Sequence, residues 1–240
     1  MRKWENMPES MKNDKVKEYY DLLSKKKFSL FLKRAFDIVV SGVFLLLLLP
    51  VFIIIAVAIK LDSPGTVFYR QTRITRYGEK FRIFKFRTMV SDADKGLKLT
   101  VANDSRITRV GAFLRKYKLD ELGQLIDVFR GTMSFVGTRP EVEKYVAEYT
   151  DEMFATLLLP AGITSEASVC YRDENSLLEA AENPEEVYIN RILPDKMKYN
   201  LNAIKEFSFF GEIKIIIMTV LAVFKSDDEE EVAAEKVEKL

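Results

Sequence analysis

The longest apolar stretch of the chain runs from Ile38 to Ile59, and no charged residue interrupts it. About 20 consecutive apolar residues are needed to span a bilayer, so this stretch predicts a membrane segment rather than a buried helix of a soluble core. Pro50 lies near its middle, where proline bends a helix. Basic residues flank both ends, at 25–34 and 60–76, whereas a spanning helix normally has its positive flank on the cytoplasmic side only. The pattern favours a re-entrant, helix-break-helix segment over a single span, with both chain termini cytoplasmic.

Two strand-like segments follow the apolar stretch. Residues 66–70 and 81–89 flank a turn at 77–79 that contains Gly78, which predicts a small β-hairpin. Side chains alternate along a strand, so Lys85 and Arg87 are expected to share one face.

Helical spacing dominates the rest of the chain. Residues 111–130 predict one or two helices, with Leu114, Leu122, Leu125 and Ile126 as expected core residues. The apolar stretch at 209–224 is interrupted by charges and is too short to span, which is typical of an interfacial helix. Residues 9–28 predict a helix on the membrane surface, with a poorly ordered tail as the alternative.

The net charge of +1 conceals a strong asymmetry along the chain. Residues 60–118 hold 15 Lys or Arg against 5 Asp or Glu, while residues 140–240 hold 10 against 22. A basic segment next to an apolar one suits an anionic membrane surface, a phosphate-bearing substrate, or both. Nucleic acid would also suit the charge, but no recognisable nucleic-acid motif accompanies it, so no nucleic-acid partner is expected.

The scarcity of two residue types narrows the chemistry. The chain has no His, which excludes His-based triads, His general bases and His metal ligands. Its one cysteine, Cys170, allows neither an internal disulfide nor a thiolate zinc cluster. Acid–base, nucleophilic and metal-binding roles therefore fall mainly to carboxylates.

Asp120 and Glu121 are the candidate carboxylates, because they follow a segment in which cations dominate. Taken alone, the pair is better explained by ion pairs with Lys116 and Lys118, since such surface pairs are common, and only the basic context favours a functional role. Adjacent helical side chains point about 100° apart, so the two carboxylates need not have the same chemical role. One carboxylate could attack or bind a divalent cation while the other accepts a proton.

Four arginines could bind phosphate, because a guanidinium forms two parallel hydrogen bonds to it. They are Arg87, Arg115, Arg139 and Arg172. Arg139 precedes a proline after a glycine-bounded loop at 131–137, which would hold it rigidly. Neither a Walker loop nor a GxGxxG fingerprint is present, so the corresponding nucleotide-binding folds are not indicated.

Taken in order, the motifs across residues 33–225 resemble those of the small, monotopic phosphoglycosyl transferases, a family of bacterial sugar transferases. Any one motif is weak, but the ordered set is specific. The matching segments are Lys33–Asp37, the apolar segment broken at Pro50, Val67–Gln71, Phe84–Met89, Ser105–Gly111, Phe113–Lys116, Leu119–Leu122, Gln124–Ile126, Met133-Ser134, Gly137, Arg139–Glu141, Gly162–Thr164 and Arg172.

The resemblance implies an enzyme that moves a phosphosugar from a UDP-sugar to undecaprenyl phosphate and releases UMP. Asp120 would be the nucleophile and the ligand of Mg²⁺, and Glu121 its partner carboxylate. An aspartyl-phosphosugar intermediate would then be attacked by the polyprenyl phosphate. The positions that match phosphate-binding cations of the family are Lys85, Arg87, Arg115, Arg139 and Arg172.

The product, a polyprenyl-diphosphate-sugar, would initiate capsule, exopolysaccharide, O-antigen or glycoprotein glycan assembly. The resemblance also implies the lipid bilayer and downstream glycosyltransferases as partners, and it leaves a homo-oligomer open. It places the protein at the bacterial inner membrane, with the catalytic domain facing the cytoplasm.

The expected fold is α+β and mainly helical, with a re-entrant membrane segment, a small β-hairpin and interfacial amphipathic helices. Four parts are expected along the chain. They are a basic N-terminal segment (1–32), a re-entrant membrane helix (33–60), a cytoplasmic catalytic domain (61–208), and a C-terminal interfacial helix with an acidic tail (209–240).

The sequence departs from the common family pattern at five positions: Leu49, Gly123, Thr138, Ala161 and Glu166. Ala161 and Glu166 fall in the region expected to meet the sugar. Two other functions stay open: an inactive membrane scaffold of glycan assembly, and a membrane-tethered glycosyltransferase that would release UDP.

Overall fold

The N-terminal segment forms a helix, α1 (Asp14–Ser24), that belongs to the largest hydrophobic core among the described residues. Val16, Tyr19 and Leu23 are almost fully buried there. The sequence located a helix within 9–28 but assigned it to the membrane surface or to a tail, because its apolar face gave no indication of its partner. The computed structural model describes residues 1–90, 106–172, 174–179, 181 and 183–224.

The longest apolar stretch forms two helices, α2 (Lys27–Leu47) and α3 (Leu49–Asp62), which meet at a bend of 60°. Pro50 lies in the first turn of α3, where a helix does not need its N–H. At the bend, the N–H of Leu48 donates to the carbonyl of Phe44 at 2.8 Å, and the carbonyl of Leu48 accepts from the N–H of Phe52 at 2.9 Å. The helix break therefore lies where the sequence predicts it.

Within the described ranges, no single helix is long and apolar enough to cross a bilayer, and α2 and α3 meet that test only as a pair. The uncharged parts of the two helices, 38–47 and 49–59, are each about 15 Å long at a rise of about 1.5 Å per residue. That length is about half of a hydrocarbon core of roughly 30 Å. Leu46, Ile54 and Leu61 are 76%, 67% and 84% exposed, an apolar surface that suits lipid better than water.

The predicted hairpin is confirmed. Strands β1 (Phe68–Ile74) and β2 (Lys80–Phe86) pair antiparallel, with Phe68 opposite Phe86. Tyr77 and Gly78 adopt positive φ angles of 59° and 72° in the turn between them, a conformation that glycine adopts without strain.

The predicted helices in 111–130 are confirmed as α4 (Arg109–Lys116), a short 3₁₀ helix at Leu119–Gly123, and α5 (Gln124–Arg130). A parallel pair of strands follows, β3 (Met133–Val136) and β4 (Ala161–Thr164). The sequence did not predict this pair, because apolar runs this short have no periodicity that separates strand from helix.

Besides short 3₁₀ helices at Trp4–Asn6, Glu9–Met11, Arg76–Gly78 and Met153–Leu158, seven further helical elements occur in the described residues, and the mainly helical α+β class is confirmed. They are α6 (Glu143–Val146), α7 (Glu166–Cys170), α8 (Glu174–Glu179), α9 (Pro184–Val187), a π-helical turn (Tyr188–Ile192), α10 (Leu193–Lys205) and α11 (Phe209–Phe224). The acidic tail predicted beyond 224 lies outside the described residues.

Charged side chains at the start of α2 attach the bent pair to the rest of the protein. The buried Lys33 Nζ donates to both carboxylate oxygens of Glu212 on α11, at 2.6 and 2.7 Å, and to the carbonyl of Val136 at 2.7 Å. Asp37 accepts from the N–H of Phe135 at 3.2 Å. Helix α2 is thereby fixed to β3 and α11 at once.

Arg34 adds a third attachment, because it donates to the carbonyls of Val128 and Phe129 at the end of α5.

Burial outweighs the charge of Lys33 and raises the pKa of Glu212 to about 7. The ion pair is therefore costly to bury, and what it supplies is a fixed position for α2.

Replacing Glu212 with Leu is expected to destabilise the protein by about 3–5 kcal/mol, because Lys33 is left as a buried cation without a carboxylate. The measurement is the midpoint of thermal unfolding in one detergent. The double variant Lys33→Met/Glu212→Leu should recover most of the loss, and Glu18→Leu, at an exposed carboxylate of α1, should have little effect. A single variant as stable as wild type would contradict the attachment.

A candidate active site at Asp120 and Glu121

The candidate carboxylates lie on the 3₁₀ helix between α4 and α5. Lys118 adopts a positive φ of 55° and turns the chain out of α4 into this helix. Gly123 ends it against β2, where a Cβ on Gly123 would lie 2.9 Å from the carbonyl oxygen of Phe84. A proline would clash there, so the departure from the family pattern at 123 allows the turn to approach β2 closely.

Glu121 is held by two cations. Its Oε1 accepts from Lys85 Nζ of β2 at 2.7 Å and from Arg139 Nη2, just after β3, at 2.8 Å. Burial alone would raise the pKa of Glu121, but the charges of Arg139 and Lys85 outweigh burial and bring that pKa well below its ordinary value. The charge of Glu121 in turn raises the pKa of Arg139. Glu121 therefore stays ionised, and it links Lys85 of β2 to Arg139, which follows β3.

Asp120 is in the opposite situation. No ion pair or side-chain hydrogen bond joins its carboxylate to another residue of the described part of the chain. Burial raises the pKa of Asp120 above its ordinary value. The charge of Lys85 opposes this rise, the charge of Glu121 adds to it, and the charge of Arg115 also opposes it. Two adjacent carboxylates thus differ: Glu121 accepts from two cations through Oε1, and Asp120 is available.

Arg115 completes the group of cations around the pair. It lies in the last turn of α4, and its Nε donates to Thr88 Oγ1 at 2.9 Å. The structure therefore brings together five of the predicted site residues: Lys85, Arg115, Asp120, Glu121 and Arg139.

The described contacts of Arg87 lie elsewhere. Arg87 is buried, and its guanidinium donates to the carbonyls of Ser63 and Pro64 after α3, at 2.8 and 2.5 Å. Strand alternation predicted a face shared with Lys85, but β2 ends at Phe86 and the backbone beyond it directs Arg87 toward α3.

Arg172 likewise donates to the carbonyl of Ala222 in α11 at 2.8 Å. Spacing along the chain could not show this, because the contact depends on how α11 folds back. A phosphate-binding role for Arg87 and Arg172 stays a prediction that these contacts do not support.

One concavity adjoins the site, and a second lies between α3 and α4. A polar cavity of about 190 Å³ is lined in part by Arg73, Arg139, Glu141 and Tyr188. Apart from Arg139, these residues have no sequence signal of a site role. They come together only because the hairpin packs against the helices after residue 183. An open apolar groove of about 630 Å³ separates α3 from α4.

The donor groups limit what kind of metal ion the site could hold. Across the described ranges, no group of three Asp, Glu, Cys or His side chains is arranged to bind a metal. Mg²⁺ commonly binds through one or two carboxylates together with substrate phosphates and waters. The available carboxylate of Asp120 fits an ion held jointly with a phosphate-bearing substrate.

Comparison with known proteins decides the family. The sequence profile described as "Bacterial sugar transferase" matches residues 28–226. The chain belongs to the bacterial sugar transferase family. Both carboxylates, the five predicted cations and the α2–α3 pair from residue 28 onward fall within the matched range.

Named relatives of this bacterial sugar transferase act on undecaprenyl phosphate. The UDP-glucose:undecaprenyl-phosphate glucose-1-phosphate transferase of Escherichia coli K12 is 39% identical over 71% of this chain and 35% of its own length. A UDP-N-acetylgalactosamine-undecaprenyl-phosphate N-acetylgalactosaminephosphotransferase of Aeromonas hydrophila is 32% identical over 70% of this chain and 38% of its own. This sugar transferase chain therefore spans about a third of the length of those two relatives.

A relative of more similar length is the exopolysaccharide production protein ExoY of Rhizobium meliloti. It is 32% identical over 71% of this chain and 75% of its own length.

Proposed function

We propose that this chain transfers a sugar phosphate from a UDP-sugar to undecaprenyl phosphate, with release of UMP. The observation that carries the proposal is the contrast between the adjacent carboxylates, since Glu121 is engaged by two cations and Asp120 is not. The names of the E. coli and A. hydrophila relatives support the same reaction class.

In the proposed reaction, Asp120 attacks the β-phosphorus of the UDP-sugar. A bond forms between a carboxylate oxygen and that phosphorus, and the bond to the oxygen bridging the two phosphates breaks. UMP leaves with the electron pair, and an aspartyl-phosphosugar remains. An oxygen of the polyprenyl phosphate then attacks the same phosphorus, which frees Asp120 and forms the polyprenyl-diphosphate-sugar.

The cations around Asp120 suit this chemistry. Phosphoryl transfer depends on positive groups arranged in advance around the phosphate oxygens. Lys85 and Arg139 are oriented by Glu121, and Arg115 by Thr88. A carboxylate with a pKa as low as that of Glu121 is a weak base, so we assign it the task of positioning cations rather than of accepting a proton.

Mg²⁺ is proposed as the cofactor, held by Asp120 together with the diphosphate of the donor. It would offset the repulsion between the carboxylate and the diphosphate. Asp120 would then be both the orienting ligand and the attacking group, while the charges of Lys85 and Arg115 oppose the rise of its pKa that burial causes.

The bent pair suggests where the reaction occurs. Each uncharged arm reaches about half-way through a bilayer of roughly 30 Å, so we propose a re-entrant arrangement in one leaflet. The catalytic part would face the cytoplasm at the bacterial inner membrane, where a soluble nucleotide-sugar and a lipid phosphate can both arrive. Downstream glycosyltransferases would extend the product into a polysaccharide.

Replacing Asp120 with Asn is expected to abolish UMP release, because the amide cannot act as the nucleophile. The assay supplies undecaprenyl phosphate, Mg²⁺ and a panel of UDP-sugars to lipid-embedded protein. An Asp120→Asn variant with wild-type activity would rule out the assignment. Release of UDP instead of UMP by the wild-type protein would mean that the sugar moves without its phosphate.

Replacing Glu121 with Gln is expected to lower activity about 10²-fold, the typical loss when a pre-arranged charge contact is removed. It should also shift the acidic limb of the pH–rate profile to lower pH. Asp120 acts as an anion, so activity falls as the pH drops through its raised pKa. Without the charge of Glu121, and with Lys85 released toward Asp120, that pKa falls.

Glu143→Gln provides the control for this change, because Glu143 forms an exposed ion pair with Lys80. Glu143→Gln should leave both the reaction rate and the acidic limb of the pH–rate profile unaltered. A limb in Glu121→Gln that stays in place, or moves to higher pH, would contradict the positioning role.

The re-entrant arrangement predicts that both ends of α2–α3 face the cytoplasm. In a Cys170→Ser background, single cysteines at Ser10 and at Ser208 should react with a membrane-impermeant maleimide only after the cells are opened. Labelling of position 10 in intact cells, with position 208 protected, would instead indicate a spanning pair.

A further inference from the structure

Arg139 connects the proposed reaction centre to the polar cavity. Its Nη2 donates to Glu121, and the same side chain lines the cavity of about 190 Å³. A group in this cavity would therefore be separated from the carboxylate pair by a single guanidinium.

The cavity wall is a set of fixed donors and acceptors. Buried Glu141 accepts from the hydroxyl of Tyr188 at 2.5 Å, and buried Lys196 donates to Glu174 at 2.6 Å. Arg73 donates to the carbonyl of Pro140 at 3.2 Å. A carboxylate has about four lone-pair sites and an ammonium three donors, so these groups keep capacity for a ligand.

We propose that this cavity binds the sugar ring of the donor and selects among sugars, an inference that rests on the proposed function. Sugar hydroxyls both donate and accept, which matches the hydrogen-bonding capacity that the neighbouring carboxylates and cations of the wall keep. Selection follows because a site built for hydrogen bonds rejects a ligand that lacks the matching hydroxyl.

Two features favour the sugar over the uridine. The sugar is bonded to the phosphate that Asp120 would attack, while the uridine is one phosphate further away. The volume is also smaller than the roughly 300–1,000 Å³ of pockets for drug-sized ligands, so it suits one ring rather than a whole nucleotide-sugar.

The first test fills the cavity. Leu178 of α8 lines it, and its neighbour Leu177, which is 38% exposed, does not. Leu178→Trp and Leu177→Trp are compared in the full chain in lipid nanodiscs by equilibrium binding of UMP, UDP-glucose and UDP-N-acetylgalactosamine. We expect Leu178→Trp to weaken both UDP-sugars by about tenfold or more, with UMP binding unchanged, and Leu177→Trp to alter none of the three.

An equal loss of UMP binding would place the uridine in the cavity and overturn the proposal. Unchanged binding of all three ligands by Leu178→Trp would also overturn it, since the cavity would then lie outside the donor site.

The second test removes one atom that fixes Glu141. Tyr188→Phe should change the ratio of affinities for the two UDP-sugars without changing UMP binding. Tyr171→Phe is the matched control, because Tyr171 donates to Asp195 at 2.7 Å and does not line the cavity. An unaltered ratio in Tyr188→Phe would argue against selection by this wall.

Both binding tests are independent of turnover. Release of UDP by the wild-type protein would disprove phosphosugar transfer while leaving the binding result intact. If the wild-type protein releases UMP while both cavity variants, Leu178→Trp and Tyr188→Phe, bind the ligands unchanged, only the cavity assignment would be disproved.

Discussion

The buried ammonium of Lys33 is the constraint on which the arrangement of the protein depends. A charge removed from water needs compensating partners, and Lys33 finds them on two elements at once, the carboxylate of Glu212 and the carbonyl of Val136. Few rotations of α2 about its axis satisfy both partners. The same rotation lets Asp37 accept from the N–H of Phe135 and lets Arg34 donate to the carbonyls at the end of α5. One group of contacts thus fixes the bent pair relative to β3, α5 and α11, and in the proposed re-entrant arrangement it would also set how far the candidate site lies from the membrane.

The candidate site uses the same principle in a more exposed place. Lys85 arrives on the hairpin, Arg139 after β3 and Glu121 on the 3₁₀ helix, and the two ion pairs bring these separate elements to one point. Successive side chains on a 3₁₀ helix point about 120° apart, so Asp120 and Glu121 face different directions, and Lys85 and Arg139 form their ion pairs with Glu121. In the proposed reaction, the reactivity of Asp120 would therefore depend on the engagement of Glu121.

Much of this could be predicted from local sequence, and the failures share one cause. The break near Pro50, the hairpin around Gly78 and the helices of 111–130 each follow from periodicity or from residues with special backbone geometry. The carboxylate pair followed from an ordered set of motifs. Burial of α1, the parallel pairing of β3 with β4, and the contacts of Arg87 and Arg172 depend instead on which distant surface meets which. A sequence pattern shows that a face is apolar or charged, but not the identity of its partner, and so Tyr188 and Lys196 had no signal of their role beside Arg139.

The two short arms of α2 and α3 have a mechanical consequence for the bilayer. In the proposed re-entrant arrangement they add cross-sectional area to one leaflet and none to the other. Each molecule then acts as a wedge that spreads the lipids of the cytoplasmic leaflet and alters the lateral pressure around it. Its energy of insertion becomes sensitive to the local curvature of the membrane, so the shape of the cell envelope would influence where the enzyme accumulates.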